Sequence, residues 1–507
     1  MVAEGLSDLE SGKGDAGGMT NAQETPPQTV SQLSPRDVRS IMYGLMIVMM
    51  LAALDTTIVA PAMPTIGREL GNIEYLPWIA TAYLLVSTAL SPLYGKLADI
   101  KGRRVVIMFA LVVFLIGSIA CALAPTMLTL VLARALQGAG GAGIFAMTQT
   151  IIGDIVPPKQ RPHYQLYTST VWMLANLAGP VIGGAMADYT HWSMIFWINI
   201  PIGLVAIWLV SDRLKKIPRY ERPHKIDVMG AAFMMFASGL LLLALSWGGH
   251  TYAWSSWQVV GLFIGSALSW ALLVWRQISV DEPLIPLLVL KNQVALMSTM
   301  SMFFMMGGYI ALNIYLPIYF QTIGAMSASM SGLALIPLLV FTSAGAWVAS
   351  RLMPRTQHYK PLPIAGLIAS ALAAFAMAIW PLMPIVGVLG ATTIIATGTG
   401  TVFPIVSVAV QASSPRHLLG STMALSYFVR SLGASISIAV FGVILLGGAG
   451  LGVEAIAHGG VPDTVDRNEL ARSFSICFGL AGVFFLLAAG FFAAMEERPL
   501  FGEQPEG

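Results

Sequence analysis

An all-α protein that threads a lipid bilayer about fourteen times is what this sequence predicts, and three observations carry the prediction. Of its 507 residues 56% are hydrophobic and only 10% charged, with a mean hydropathy of +0.75. That is more apolar side chain than a water-soluble core can hide. The apolar residues gather in runs of roughly twenty, the length of a helix that crosses the hydrocarbon layer. The basic residues alternate from one connection to the next, as they do when every second loop faces the cytosol.

Residues 1–38 are rich in Gly, Ser, Thr, Gln and Pro with scattered acids. They lack the apolar centre of a secretory signal and read as a disordered cytosolic tail. A first group of six spans follows at approximately 39–62, 76–98, 104–124, 127–149, 165–187 and 193–211, giving an N-terminal bundle over 39–211. A middle region, 212–292, opens with a basic linker carrying Arg213, Lys215, Lys216, Arg219, Arg222 and Lys225 beside Pro218 and Pro223. It continues with two further spans at 226–247 and 257–276 and closes on the short apolar segment 280–290, which reads as a helix lying on the cytosolic face. Six more spans, at 293–320, 329–351, 361–380, 384–410, 421–447 and 472–494, make a C-terminal bundle over 293–495. Residues 450–471 mix Gly, acids and Pro and read as an exposed external loop, and 496–507 form a second tail.

Loop charge gives the orientation. Alternate connections hold Lys101, Arg103 and Arg104, then Lys159 and Arg161, then the linker, Lys291, the group Arg351, Arg355 and Lys360, and Arg416. The intervening ones hold only Arg68, Arg467 and Arg472. An even number of spans with this asymmetry places both termini in the cytosol of a cell membrane crossed many times.

Composition also excludes chemistries. Cys121 and Cys477 fall inside apolar runs, so they read as packing residues with neither a disulfide nor a thiolate metal site in view. No metal-spaced histidines and no Gly-Lys-Ser/Thr phosphate loop occur, and a net charge of +2 without a basic patch offers nothing to a nucleic acid.

Charges inside the bilayer cost a few kcal/mol or more each and usually face a cavity or a partner. Asp55 interrupts the first span, Arg134 the fourth and Arg430 the thirteenth. Counting ~1.5 Å per residue from each helix start puts Asp55 and Arg134 both in the outer half, where they can meet. A guanidinium favours the charged carboxylate and burial favours the neutral acid, a balance that suits a group exchanging protons. Helical spacing also sets Gln137, Gly138 and Gly141 on the face of Arg134. In the fifth span, Ala175, Gly179, Gly183 and Ala187 recur every four residues, leaving a bare face on which another helix can pivot. Pro180 removes a backbone donor there and permits a bend.

Several of these segments resemble known motifs. The turn Gly95-Lys-Leu-Ala-Asp99-Ile-Lys101-Gly102-Arg103-Arg104 resembles the cytosolic loop signature of the major facilitator superfamily, whose members carry small solutes by alternating access. The segment Leu54-Asp55-Thr56-Thr57-Ile58-Val59-Ala60-Pro61 resembles the first-helix motif of its fourteen-span drug:proton antiporters, although bacterial members commonly place Asn near Ala60 or Pro61. Residues 130–142 resemble the second motif, and Asn176-Leu-Ala-Gly179-Pro180-Val-Ile-Gly183-Gly184 resembles the antiporter motif of exporters. Tyr315-Leu-Pro317-Ile-Tyr319-Phe320-Gln321 also fits the pattern of the fourteen-span branch.

The resemblance implies a major facilitator fold, two six-helix bundles plus two added helices, in a proton-coupled exporter of amphipathic, cationic or lipophilic small molecules. Asp55 and Arg134 would couple protons, and Gly95, Asp99, Lys101, Gly102, Arg103 and Arg104 would gate. Asp99 would cap the thirteenth span near Gly420 and Ser421, because a helix start carries partial positive charge. Gly179, Pro180, Gly183 and Gly184 would serve the export motif. Trp78, Tyr83, Gln137, Trp172, Asn176, Tyr315, Tyr319, Gln321 and Arg430 are candidates to line a central cavity, and Met297, Met300, Met302, Met305 and Met306 form a soft cluster. The proton gradient replaces any cofactor. Partners are protons, small molecules and the bilayer; a periplasmic adaptor or outer-membrane channel would be a separate polypeptide. Export of a lipid, siderophore or other metabolite would use the same helices with a different cavity. A receptor or enzyme would need a soluble module or catalytic constellation, and the sequence displays neither.

Overall fold

The computed structural model describes residues 34–72, 75–216, 227–249, 252–280, 283–285, 289, 291–326, 328–356, 358–449 and 467–497. The expected N-terminal tail, much of the basic linker, most of the interfacial segment, the external loop through residue 466 and most of the C-terminal tail lie outside the described residues.

Helices α1 to α14 make up most of the described chain, with short turns and one isolated bridge between Gly248 and Tyr252. Helix α1 (Pro35–Leu70) starts where Ser34 Oγ accepts the Asp37 N–H, and ends at Gly71 with φ +66°. Gly102, at φ +88°, both ends α2 (Leu76–Lys101) and starts α3 (Arg103–Ala122), a turn that a side chain would strain. Thr126 and Thr129 build a reciprocal cap for α4 (Met127–Ile155). Helices α5 (Arg161–Tyr189) and α6 (Met194–Arg213) complete the first group.

The inserted pair is α7 (Val228–Trp247), capped by Asp227, and α8 (Trp257–Ser279), capped by Ser256. The last group is α9 (Gln293–Thr322), α10 (Met330–Arg355), α11 (Pro361–Ile379), α12 (Ile385–Ser413), α13 (Leu419–Ala449) and α14 (Arg467–Ala494). Thirteen helices among the described residues are long and apolar enough to cross a membrane. The 26-residue α2 runs among them, against α4 and α13.

The cores divide the molecule. One unites α9 to α14 around Leu316, Phe320, Leu367, Phe474 and Phe485. Two others unite α1 to α6, one around Leu45, Ile107, Phe114 and Ile151, the other around Ile58, Ile66, Met127 and Phe196. Helices α7 and α8 bury Ala231, Met234 and Leu273 against Phe428 and Leu432 of α13 and Leu85 and Leu93 of α2, so the inserted pair covers one seam between the halves. Large apolar side chains such as Phe109, Trp208, Ile278 and Val386 are exposed, a surface suited to lipid. Hydrogen bonds between the halves gather from midspan to the ends that carry the α2–α3 turn: Thr88 with Ser431 at 2.7 Å, Gln411 to the Gln149 carbonyl at 3.1 Å, and the Asp99 cluster described below.

Candidate functional site

Asp55 has no exposed surface and is held by three side chains from two helices. Arg134 Nη1 donates to its Oδ2 at 2.7 Å, while Gln137 Nε2 and Asn199 Nδ2 each donate to its Oδ1 at 2.8 Å. Arg134 Nη1 also reaches Gln137 Oε1 at 2.6 Å, and Ser118 Oγ accepts from Gln137 at 2.7 Å and from Asn199 at 3.2 Å. The Arg134 Nε bonds the Ile79 carbonyl at 3.1 Å, and its guanidinium lies 4.5 Å from the centre of the Tyr83 ring. Close helix approach makes this possible. A side chain at Gly138 would strike the Tyr83 carbonyl, and one at Gly117 would sit 2.5 Å from the Gln137 Cα, so bare positions bring α2 and α3 onto α4. A buried charge pair survives only when its remaining hydrogen-bonding positions are filled, which is what the amides and Ser118 do.

Asn199 and Ser118 were not singled out from sequence. Asn199 is a polar interruption in the apolar sixth span and was visible as such, whereas Ser118 carries no signal of its own. The Asn199 Oδ1 is buried without a hydrogen-bond partner, as is the Tyr83 hydroxyl.

At the end of α2 next to the α2–α3 turn, Asp99 Oδ1 accepts from Gly420 N at 3.1 Å, and Oδ2 accepts from Ser421 N at 2.8 Å and Ser421 Oγ at 2.7 Å. Arg103 pairs with Asp99 at 3.2 Å and with Asp154 at 2.8 Å, and donates to the carbonyls of Ala98 and Arg416, the latter across the seam. Gly95 admits α13: an added Cβ would lie 2.6 Å from the Gly420 oxygen. Arg104 bonds the Ser211 carbonyl within the first half, and Lys101 is exposed.

The four positions of the export motif divide. Side chains at Gly179 and Gly183 would collide with Thr57 and with the Ile58 carbonyl, and Thr57 Oγ1 donates to the Ala175 carbonyl at 2.9 Å, so this face seats α5 on α1. Pro180 is exposed, and the nearest atom to a Cβ on Gly184 is Pro61 Cβ at 3.9 Å.

A cavity opens between the halves, with about 660 Å³ of empty space including its mouth. Met49 of α1, Phe145 and Gln149 of α4 and Trp172 of α5 face Met302 of α9, Val406 and Ser407 of α12, and Ser426, Tyr427 and Arg430 of α13. Of the candidates drawn from sequence, Trp172 and Arg430 line it. The others lie elsewhere for identifiable reasons. Tyr83 and Gln137 belong to the Asp55 network, and Trp78 packs edge-on to Trp247 of α7. The Tyr315 and Tyr319 hydroxyls bond the carbonyls of Ile438 and Pro381 inside the second half, at 2.7 and 2.8 Å. Asn176 and Gln321 are half-buried outside its lining. Met302 reaches the cavity, and Met305 is buried in the core.

Two helical halves meeting across a central cavity, with polar clusters inside the apolar spans, are the build of a multi-pass membrane protein. The Major Facilitator Superfamily model matches residues 45–438, and the chain belongs to that superfamily, which makes it a transporter and not an enzyme. It is similar to the multidrug transporter protein MdtP of Bacillus subtilis, 34% identical over 408 residues covering 80% of this chain and 75% of that one. It is also similar to multidrug resistance protein 3 of the same organism, 30% identical over 405 residues, covering 80% and 79%. Among solved structures, the human organic anion transporter MFSD10 superposes with a TM-score of 0.64 at 15% identity, covering 90% of this chain and 99% of that one, a likeness of fold alone.

Proposed function

We propose that this chain is a fourteen-span, proton-coupled exporter of amphipathic small molecules, with both termini in the cytosol. The observation that carries the reading is the Asp55 network: a fully buried carboxylate within the first span, held by Arg134, Gln137 and Asn199. Two multidrug relatives from Bacillus subtilis favour drug-like cargo.

Protonating Asp55 removes its charge and weakens its hold on Arg134. Asp55 does not line the cavity, so the effect reaches cargo through α1 and α4, which carry Met49 and Phe145 into it. In the outward-open molecule a proton arriving from outside loosens the α1–α4 clamp and cargo leaves. Breaking the Asp99 latch then lets the halves rock, the proton passes to the cytosol, and the carboxylate re-forms its bonds. Gly179 and Gly183 supply the contact on which α5 pivots against α1. One charge moving down 100 mV gains ~2.3 kcal/mol, equal to a roughly fiftyfold solute gradient at ~1.4 kcal/mol per tenfold.

The test is retention of a fluorescent amphipath in cells with and without the protein. The expected result is lower retention with the protein, restored by a protonophore and untouched by nucleotide depletion at constant proton-motive force. Loss of efflux on nucleotide depletion alone, or efflux indifferent to the protonophore, would overturn the proposal.

A further inference from the structure

The central cavity holds one charged side chain among its described lining residues, Arg430, and no carboxylate. No described hydrogen bond or ion pair holds that guanidinium; its neighbour is the Tyr427 ring, 4.9 Å from Cζ to centroid. The aromatic residues are stacked on one another. Trp172 lies against Phe145 at 5.5 Å and 14°, and Phe145 against Tyr427 at 5.7 Å and 15°. This column joins α5 and α4 of the first half to α13 of the second and ends at a cation.

A guanidinium drawn into a partly closed site loses water, and a ring face replaces only part of that hydration. An anion replaces it with charge-assisted, often bidentate, hydrogen bonds. A cationic ligand would need the rings to act as its acceptor, yet Phe145 is covered by Trp172 and Tyr427, and Tyr427 by Phe145 and Arg430. It would also face an unneutralised positive charge. Asp55 offers it no relief, being sealed within the first half.

We infer that the cavity takes planar aromatic compounds carrying one negative charge, the ring system packing along the edges of the Trp172–Phe145–Tyr427 column and the anionic group meeting Arg430. Ser407 of α12 and Ser426 of α13 add hydroxyls to the lining, that of Ser426 shared with Thr299 at 2.9 Å. The inference rests on the export reading only for its direction of transport. Outward movement of an anion runs with an interior-negative potential, whereas outward movement of a cation runs against it.

Three pyrene probes of matched size test this by equilibrium binding to the purified full chain without any gradient: a carboxylate, its neutral amide and a trimethylammonium. The carboxylate should bind at least about tenfold more tightly than the amide, and the cation should bind weakest. Arg430→Gln should erase the carboxylate's advantage while changing amide affinity less than about threefold, and Arg430→Lys should keep the order of the three. A cation that binds as well as the carboxylate, an Arg430→Gln protein with the ratio unchanged, or saturable binding of none of the probes would overturn it. The wild-type ranking decides even where a variant fails to fold. Because no proton gradient is applied, charge selectivity that persists in a chain showing no gradient-driven transport counts against the coupling scheme alone, and the reverse result counts against the cargo class alone.

Discussion

Replacing Asp99 with Asn should open the cytosolic face. In the wild-type chain the carboxylate accepts from Gly420 N, Ser421 N and Ser421 Oγ at 3.1, 2.8 and 2.7 Å, and its charge faces the positive end of α13. The carboxamide keeps one acceptor oxygen and turns the other position into a donor that meets N–H groups. At least one hydrogen bond to a charged group is lost, ~1.5–3 kcal/mol, together with ~0.3–1 kcal/mol of charge–helix attraction. The Arg103 bond to Asp154 remains and holds the guanidinium in place, although its ion pair with Asp99 is lost along with the seam contacts. A change of about 2–4 kcal/mol moves a two-state ratio by roughly 30- to 900-fold. Spin labels at Gln160 and Arg355, exposed positions on opposite halves, would report it by pulsed dipolar spectroscopy. The expected outcome is a population moved from short to long distance and lost transport, with membrane level unchanged. A distance distribution and transport rate matching wild type would refute the latch.

Asn199→Leu removes one of two donors to Asp55 Oδ1 and should lower turnover by about tenfold or more with little change in KM, because a hydrogen bond to a charged group is worth ~1.5–3 kcal/mol; initial rates across cargo concentration separate the two. Gly183→Ala places a methyl group against the Ile58 carbonyl, an overpacking cost of ~1–3 kcal/mol, and should impair transport, whereas Gly184→Ala meets only ordinary contact and should be tolerated; parallel efflux assays at equal expression check the contrast. Arg103→Lys cannot reach two carboxylates and two carbonyls at once and should cost at least about tenfold in transport, while Lys101→Ala, at an exposed position, should change it by less than about twofold in the same assay.

Much of the membrane architecture was legible because apolar length and loop charge are strong one-dimensional signals. Asp55 and Arg134 were legible too: an ion in an apolar run is costly enough to need a reason, and counting helix rise gave them a shared depth. The neutral members of their network were harder to see. Asn199 lies 144 residues from Asp55, and only the packing of α6 on α1 and α3 brings them together. The cavity was the least legible part. Phe145, Met49 and Met302 look like any other apolar residue in an apolar helix, and nothing local marks the ones that face a void. Tyr315 and Tyr319 carried the opposite trap. Their hydroxyls need partners when buried, and they find backbone carbonyls within the second half. The same limit applied to the export motif, where spacing gave one small face but only the structure separates Gly179 and Gly183, pressed against α1, from Pro180 and Gly184.

The exchange of a proton at Asp55 is most directly tested by transport in proteoliposomes holding wild-type chain or Asp55→Asn. The asparagine variant should bind cargo and catalyse cargo-for-cargo exchange, yet show no accumulation driven by an imposed pH gradient. Accumulation by the variant at the wild-type rate and with the wild-type dependence on the gradient would remove Asp55 from the mechanism.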